Sequence, residues 1–145
     1  MAYEHPSREE IKSWLESAGN IAVVGLSDKP DRESHMVAKA LQERGYRIIP
    51  VNPNVTEVLG EKSYPNLSAI PEPVDIVDVF RRSDQVVPIA EEAVKIGAKV
   101  LWLQLGVINE EAARIASEGG LRVVMDRCIK VEDALLRPAR KTANG

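Results

Sequence analysis

Five short apolar runs alternate with segments of helical periodicity, and this alternation limits the possible fold more than any other feature of the chain. The runs are Ile21-Ala22-Val23-Val24-Gly25, Arg47-Ile48-Ile49-Pro50-Val51, Val74 to Phe80, Ala98 to Leu103, and Leu121 to Met125. An apolar run without polar alternation, closed by turn residues, is the pattern of a strand covered on both faces. The third run is interrupted by Asp75 and Asp78, which fall on opposite faces of a strand and so do not form an acid–base couple.

Helix signals fill the intervals. Ser7 and Glu10 form a capping box ahead of Ile11, Trp14, Leu15 and Ala18, with Gly19 as the stop. Ser34 is expected to cap a helix that runs to Arg44, with Met36, Val37, Ala40 and Leu41 turned inward and Gly45 ending it. Ser83 or Asp84 opens a third, which ends at Gly97; Pro88 suits its first turn, so the helix proper begins near Val87. Asn109 caps Glu110 to Glu118, and a short helix over Val131 to Leu136 ends before Pro138.

Strict β/α alternation implies right-handed crossovers and helices on both faces. The expectation is an α/β, Rossmann-like, doubly wound five-stranded parallel sheet in the order 3-2-1-4-5. Residues 1–137 form the domain, and residues 138–145 are expected to be a flexible tail. A chain of 145 residues has material for one core, not two.

Composition narrows the function classes. A net charge of −3 supplies no global basic field for nucleic acid or anionic membrane. No apolar run approaches membrane-spanning length, and the polar first ten residues are unlike a signal peptide. A single cysteine, Cys128, excludes an internal disulfide and suits a reducing, cytoplasmic setting. Two histidines, His5 and His35, give no metal-ligand spacing.

In a doubly wound sheet, ligands bind beyond the carboxyl ends of the strands at the switch point. The unusual residues of this chain gather at those ends. The loop Gly25-Leu26-Ser27-Asp28-Lys29-Pro30-Asp31-Arg32-Glu33-Ser34 lacks the second and third glycines of the dinucleotide fingerprint. Strand 2 ends in Asn52-Pro53, with no acid to take a ribose hydroxyl. A nicotinamide cofactor is therefore disfavoured. Phosphate is not: Gly25 allows close backbone approach, Ser27 offers a hydroxyl, Lys29 and Arg32 offer charge, and a helix N-terminus follows. A solvated turn, with Asp28 and Asp31 pairing the cations, is the competing reading.

Read together, Gly25-Leu-Ser27, Pro30-x-Arg32-x-Ser34, Gly45-Tyr46 through Pro50-Val51-Asn52-Pro53, Leu59-Gly60, Tyr64, Val74-Asp75 through Asp78-Val79-Phe80-Arg81, Trp102-Leu-Gln104-Leu-Gly106 and Val124-Met-Asp126-Arg127-Cys128 resemble the stand-alone CoA-binding protein family. That family is similar to the N-terminal CoA-binding domain of the succinyl-CoA synthetase α subunit. The resemblance covers about residues 8 to 136. It implies a coenzyme A or acyl-CoA ligand and no particular reaction. It also implies that Gly25, Ser27, Arg32 and Ser34 meet the phosphates, and that Asn52 and Pro53 line the nucleotide side. Val79, Phe80 and Arg81 would flank the adenosine or pantetheine, and Gln104 and Gly106 the pantetheine arm. Plain core packing competes with adenine stacking at Phe80, and exposed charge is the better reading of Arg82. His35 reads as a surface histidine or a phosphate donor.

Cys128, flanked by Arg127 and Lys130, reads first as a small buried filler and second as a thiol able to pair with that of CoA. Trp14 and Trp102 read as structural. No nucleophile–base pair is visible, so a binding module is the first functional reading. A CoA-ligase-like component acting with a partner subunit is the alternative, and a nucleotide regulator is the third. A homodimer stays open; no nucleic acid, membrane or metal partner is indicated.

Overall fold

The computed structural model describes residues 3–140. The main sheet contains β1 (Asn20–Val24), β2 (Arg47–Val51), β5 (Ile76–Val79), β6 (Val100–Leu103) and β7 (Arg122–Val124), all parallel. A small antiparallel hairpin, β3 (Glu57–Val58) and β4 (Glu61–Lys62), follows β2. The helices are α1 (Arg8–Ser17), α2 (Glu33–Glu43), α3 (Val86–Lys95), α4 (Glu110–Glu118) and α5 (Ile129–Leu136). The doubly wound α/β class is as expected.

The order of strands is not. The sheet runs β2-β1-β5-β6-β7, so the five apolar runs, numbered along the chain, stand as 2-1-3-4-5 and not 3-2-1-4-5. The outer edge of β2 is already taken. Tyr64 N–H donates to the Pro50 carbonyl at 3.0 Å, and Asn52 N–H donates to the Tyr64 carbonyl at 2.9 Å. The third run pairs with the other side of β1, Ile21 to Ile76 through Val24 to Val79. The switch point therefore lies between β1 and β5.

Side chains alternate between two buried layers. Ala22, Val24, Val77, Val79, Leu101 and Leu103 pack against Val86, Ala90 and Ala93 of α3 and Ala112, Ala113 and Ala116 of α4. On the other face, Ile21, Val23, Ile76, Trp102 and Val124 meet Ile11 and Leu15 of α1, Val37, Ala38 and Leu41 of α2, and Ile129 of α5. The small alanines let α3 and α4 approach each other and the sheet.

The capping box of α1 is present, Glu10 N–H to Ser7 Oγ at 3.1 Å and Ser7 N–H to Glu10 Oε1 at 3.0 Å. Asn109 caps α4 through Ala112 N–H at 2.9 Å, and Pro88 occupies the first turn of α3. Three expectations are corrected. Ser34 is not the cap of α2: the helix begins at Glu33 with Arg32 at the cap position. Met36 is 51% exposed, and Ala38 takes the inward position. Pro138 is buried and Arg140 stacks on Tyr46, its Cζ 3.6 Å from the ring centroid, so the tail does not fray from Pro138. The remainder of the expected tail, residues 141–145, lies outside the described residues.

Candidate functional site

At the end of β1 the chain leaves the sheet through Gly25, whose φ of +87° is open to glycine and strained for other residues. Sheet hydrogen bonding continues past the strand on both sides: Gly25 N–H donates to the Val51 carbonyl and Phe80 N–H to the Val24 carbonyl, each at 2.9 Å. The loop that follows is tied at several points. Ser27 N–H donates to Ser34 Oγ at 3.0 Å, and Lys29 N–H donates to Ser27 Oγ at 3.1 Å. Asn52 Nδ2 donates to the Leu26 carbonyl at 3.0 Å, while Asn52 Oδ1 accepts from Asn54 N–H at 2.9 Å.

His35 is not a surface residue. It is buried, with Nδ1 3.0 Å from the Ser27 carbonyl. A carbonyl only accepts, so Nδ1 carries the proton and the ring is a brace for the loop.

Behind this loop lies an open pocket of about 290 Å³, lined by Gly25, Ser27, Lys29, Arg32, Glu33, Ser34 and Phe80. Ser27 and Ser34 hydroxyls each accept one backbone hydrogen bond, which leaves both O–H groups free to donate. No side chain caps α2, so the N–H groups of its first turn are open at the pocket wall. Among the described residues, neither Lys29 nor Arg32 has an acid within ion-pair distance; Asp28 and Asp31 do not pair them. The result is an anion-ready corner: hydroxyl donors, backbone donors, a helix N-terminus and two unpaired cations, opposed by Glu33.

A smaller cavity of about 150 Å³ adjoins it across β1, between Val24, Val51, Pro53, Leu67, Arg81 and Ile89. Glu92 on its wall is committed elsewhere, accepting from Leu67 N–H and Ser68 N–H at 3.2 Å and from Ser68 Oγ at 2.9 Å.

The eleven residues singled out from sequence thus divide. Gly25, Ser27, Arg32, Ser34 and Phe80 line the larger pocket; Pro53 and Arg81 line the smaller one. Asn52 ties the end of β2 to the loop through Nδ2, while its Oδ1 closes a local turn on Asn54 N–H. Phe80 is half-buried, at once packed on the core and open to the pocket. Val79 is 0% exposed and packs in the α3/α4 layer, so it has no surface to offer a ligand; strand alternation turns it inward. Gln104 is buried, its Oε1 accepting from Ile129 N–H at 3.1 Å. Gly106 stands outside both pockets, in a turn held by its N–H to Asp126 Oδ1 at 2.7 Å.

One feature is not legible in the sequence. Asp78 is wholly buried on β5, beside Val23 and Trp102, and neither of its oxygens has a hydrogen-bond partner among the described residues. Burial drives its carboxyl pKa well above the ordinary carboxylate range. An acid in an apolar run was visible; its isolation was not. Lys29, which offers charge for phosphate in the sequence, lines the pocket beside Arg32.

Two wider clefts lie elsewhere. One, about 450 Å³, runs between the N-terminal segment at Tyr3, α1 and α4. The other, about 530 Å³, sits by Asp75, Lys99 and Val100 at the amino ends of the strands, the wrong end of the sheet for ligand binding in this class of fold.

A protein-family model described as the CoA binding domain matches residues 19–134. The chain belongs to the CoA binding domain family. The resemblance read from its motifs is the same one. The chain is 52% identical to the uncharacterized protein YneT of Bacillus subtilis, over 92% of this chain and 99% of that one. The solved structure of a hypothetical protein from Pyrococcus horikoshii OT3 superposes with a TM-score of 0.88 at 40% identity, covering 94% of this chain and 99% of that one. At 24% identity, 75% of the chain matches the ADP-forming acetate–CoA ligase I of Archaeoglobus fulgidus but only 17% of that protein's length. No helix among the described residues is long and apolar enough to cross a membrane.

Proposed function

We propose that this protein binds coenzyme A or an acyl-CoA at the carboxyl edge of its sheet, across the switch point between β1 and β5. The observation that carries this reading is the pocket at Gly25, with Lys29 and Arg32 unpaired and two serine hydroxyls free to donate. CoA brings three phosphate groups, and a cationic, donor-rich corner suits them. Ser27, Arg32, Ser34 and Lys29 would meet phosphate. Pro53 and Arg81 would border the nucleotide in the adjoining cavity, and Phe80 would lie between nucleotide and pantetheine. Asn52 and His35 act indirectly, by fixing the loop. Gln104 and Gly106 would stand along the outgoing arm.

Membership of the CoA binding domain family supports the ligand class. The test is a thermal-shift comparison of CoA, acetyl-CoA, NAD and ATP, followed by titration calorimetry. A ligand that binds only the folded state raises its melting temperature. CoA or acetyl-CoA should stabilise the protein and NAD should not; no saturable binding of either thioester or thiol form at millimolar concentration would end the reading.

The match to an ADP-forming acetate–CoA ligase favours a second reading, that the domain serves a CoA ligase reaction with a partner subunit. CoA-dependent ATP hydrolysis in a copurified complex would support it.

A further inference from the structure

Cys128 follows β7, the edge strand of the sheet two strands from the switch-point strand β5. The fold brings it back. Arg127 N–H donates to the Leu103 carbonyl at 3.4 Å, and Trp102 Nε1 donates to the Arg127 carbonyl at 2.8 Å. The chain therefore crosses the carboxyl end of β6, and Cys128 becomes the cap residue of α5 at that rim. It packs on the same apolar cluster as Phe80, which is a wall of the 290 Å³ pocket. Cys128 is half-buried, a free thiol, and the only cysteine in the chain.

A second observation at this corner points to a ligand. Gln104 is 3% exposed, and its Oε1 accepts from Ile129 N–H, the residue after Cys128. The Nε2 of the same carboxamide is buried with no acceptor. A buried donor left unpaired is destabilising. An amide-bearing thiol supplies both missing partners: a carbonyl for Gln104 Nε2 and a sulfur for Cys128.

We propose that Cys128 forms a mixed disulfide with the thiol end of a pantetheine-bearing ligand, with Gln104 positioning the arm. The inference rests on the CoA-binding reading. The step is thiol–disulfide exchange with CoA disulfide as the oxidised co-reactant. The Cys128 thiolate attacks one ligand sulfur, the bond between the two CoA halves breaks, and a Cys128 Sγ–S bond forms. The departing CoA thiolate takes up the proton that left Cys128. A second thiol reverses the exchange.

The full chain is incubated with CoA disulfide or, separately, with glutathione disulfide, and adducts are followed by intact mass. In parallel, reduced CoA is titrated into the wild-type protein and into Cys128→Ser. The expected result is a single dithiothreitol-sensitive CoA adduct, absent from Cys128→Ser, that forms roughly 100-fold faster than the glutathione adduct because bound ligand has a high effective concentration. Gln104→Leu should bring the CoA rate toward the glutathione rate and leave the glutathione rate unchanged. If reduced CoA binds but no adduct forms, or both disulfides react equally fast, the mixed disulfide is wrong and the binding reading stands. If reduced CoA binds neither protein, the binding reading fails and the exchange proposal falls with it.

Discussion

A Cβ atom on Gly25 would collide with the carbonyl oxygen of Phe80. The two residues leave adjacent strands at the switch point, and their backbones touch because one of them has no side chain. Gly25 also holds φ at +87°. Gly25→Ala would meet both a backbone clash and left-handed strain. It should destabilise the fold by roughly 2–4 kcal/mol and displace the loop that carries Ser27. Urea denaturation gives the first quantity and CoA titration the second. A variant with wild-type stability would mean that β1 and β5 part easily at this point.

Lys29 and Arg32 are exposed and unpaired among the described residues, so they contribute little to folding. Arg32→Ala should weaken CoA binding by roughly 10–100-fold, the loss of a charge-assisted contact, with the melting temperature of the free protein unchanged. The difference between wild type and variant should shrink at high salt. Equal affinity for the two proteins would remove Arg32 from the site.

Asp78 makes the folded state hold a proton. Its ordinary pKa is 3.8, and burial without a partner raises it well above that. Below the ordinary value both states are protonated and the residue's contribution is at its best. As the pH rises toward the folded-state pKa, the unfolded chain gains an ionised carboxylate that the core refuses, and stability falls by about 1.4 kcal/mol per pH unit. Above the folded-state pKa the loss levels off. Asp78→Asn removes the titration. Its stability relative to wild type should rise with pH across that window; a difference independent of pH would show that Asp78 ionises normally in the fold.

Asp133 fastens α5 to the body of the protein. Its Oδ1 accepts from the Tyr46 hydroxyl and its Oδ2 from Arg44 Nε, both at 2.7 Å, and its side chain is 4% exposed. Burial, then the bond to Asp133, raises the Tyr46 pKa. Asp133→Ala leaves the buried Tyr46 hydroxyl without its acceptor and Arg44 without its ion pair, and should cost about 2–4 kcal/mol. Chemical denaturation measures it, and CoA affinity at low temperature should hardly change, because the contact is away from the Gly25 pocket. Loss of binding with stability intact would place α5, and not the loop, at the centre of recognition.

Much of the fold was legible along the chain because its determinants are local. Apolar runs, capping residues and turn glycines act over a few positions, and Ser7, Asn109 and the β2 run took up the roles their neighbours predict. Where a local signal had two outcomes, it misled. Ser34 has the residue type of a cap, yet its Oγ accepts from Ser27 N–H, a partner set by the loop's path. Leu59-Gly60, with φ of 55° and 77°, turns the chain between two short strands, whose pairing no local apolar pattern announces.

The sequence alone determined the class of this protein: β/α alternation, the glycine at the end of β1, and the serines and cations that follow it. Tertiary structure alone decided the strand order: Tyr64 bridges the outer edge of β2, and the third run pairs with the other side of β1. It alone sent Val79 into the core, isolated Asp78, and returned Cys128 to the rim beside Gln104. Each of these depends on contacts between residues far apart in the chain, and such contacts exist only once the chain has folded.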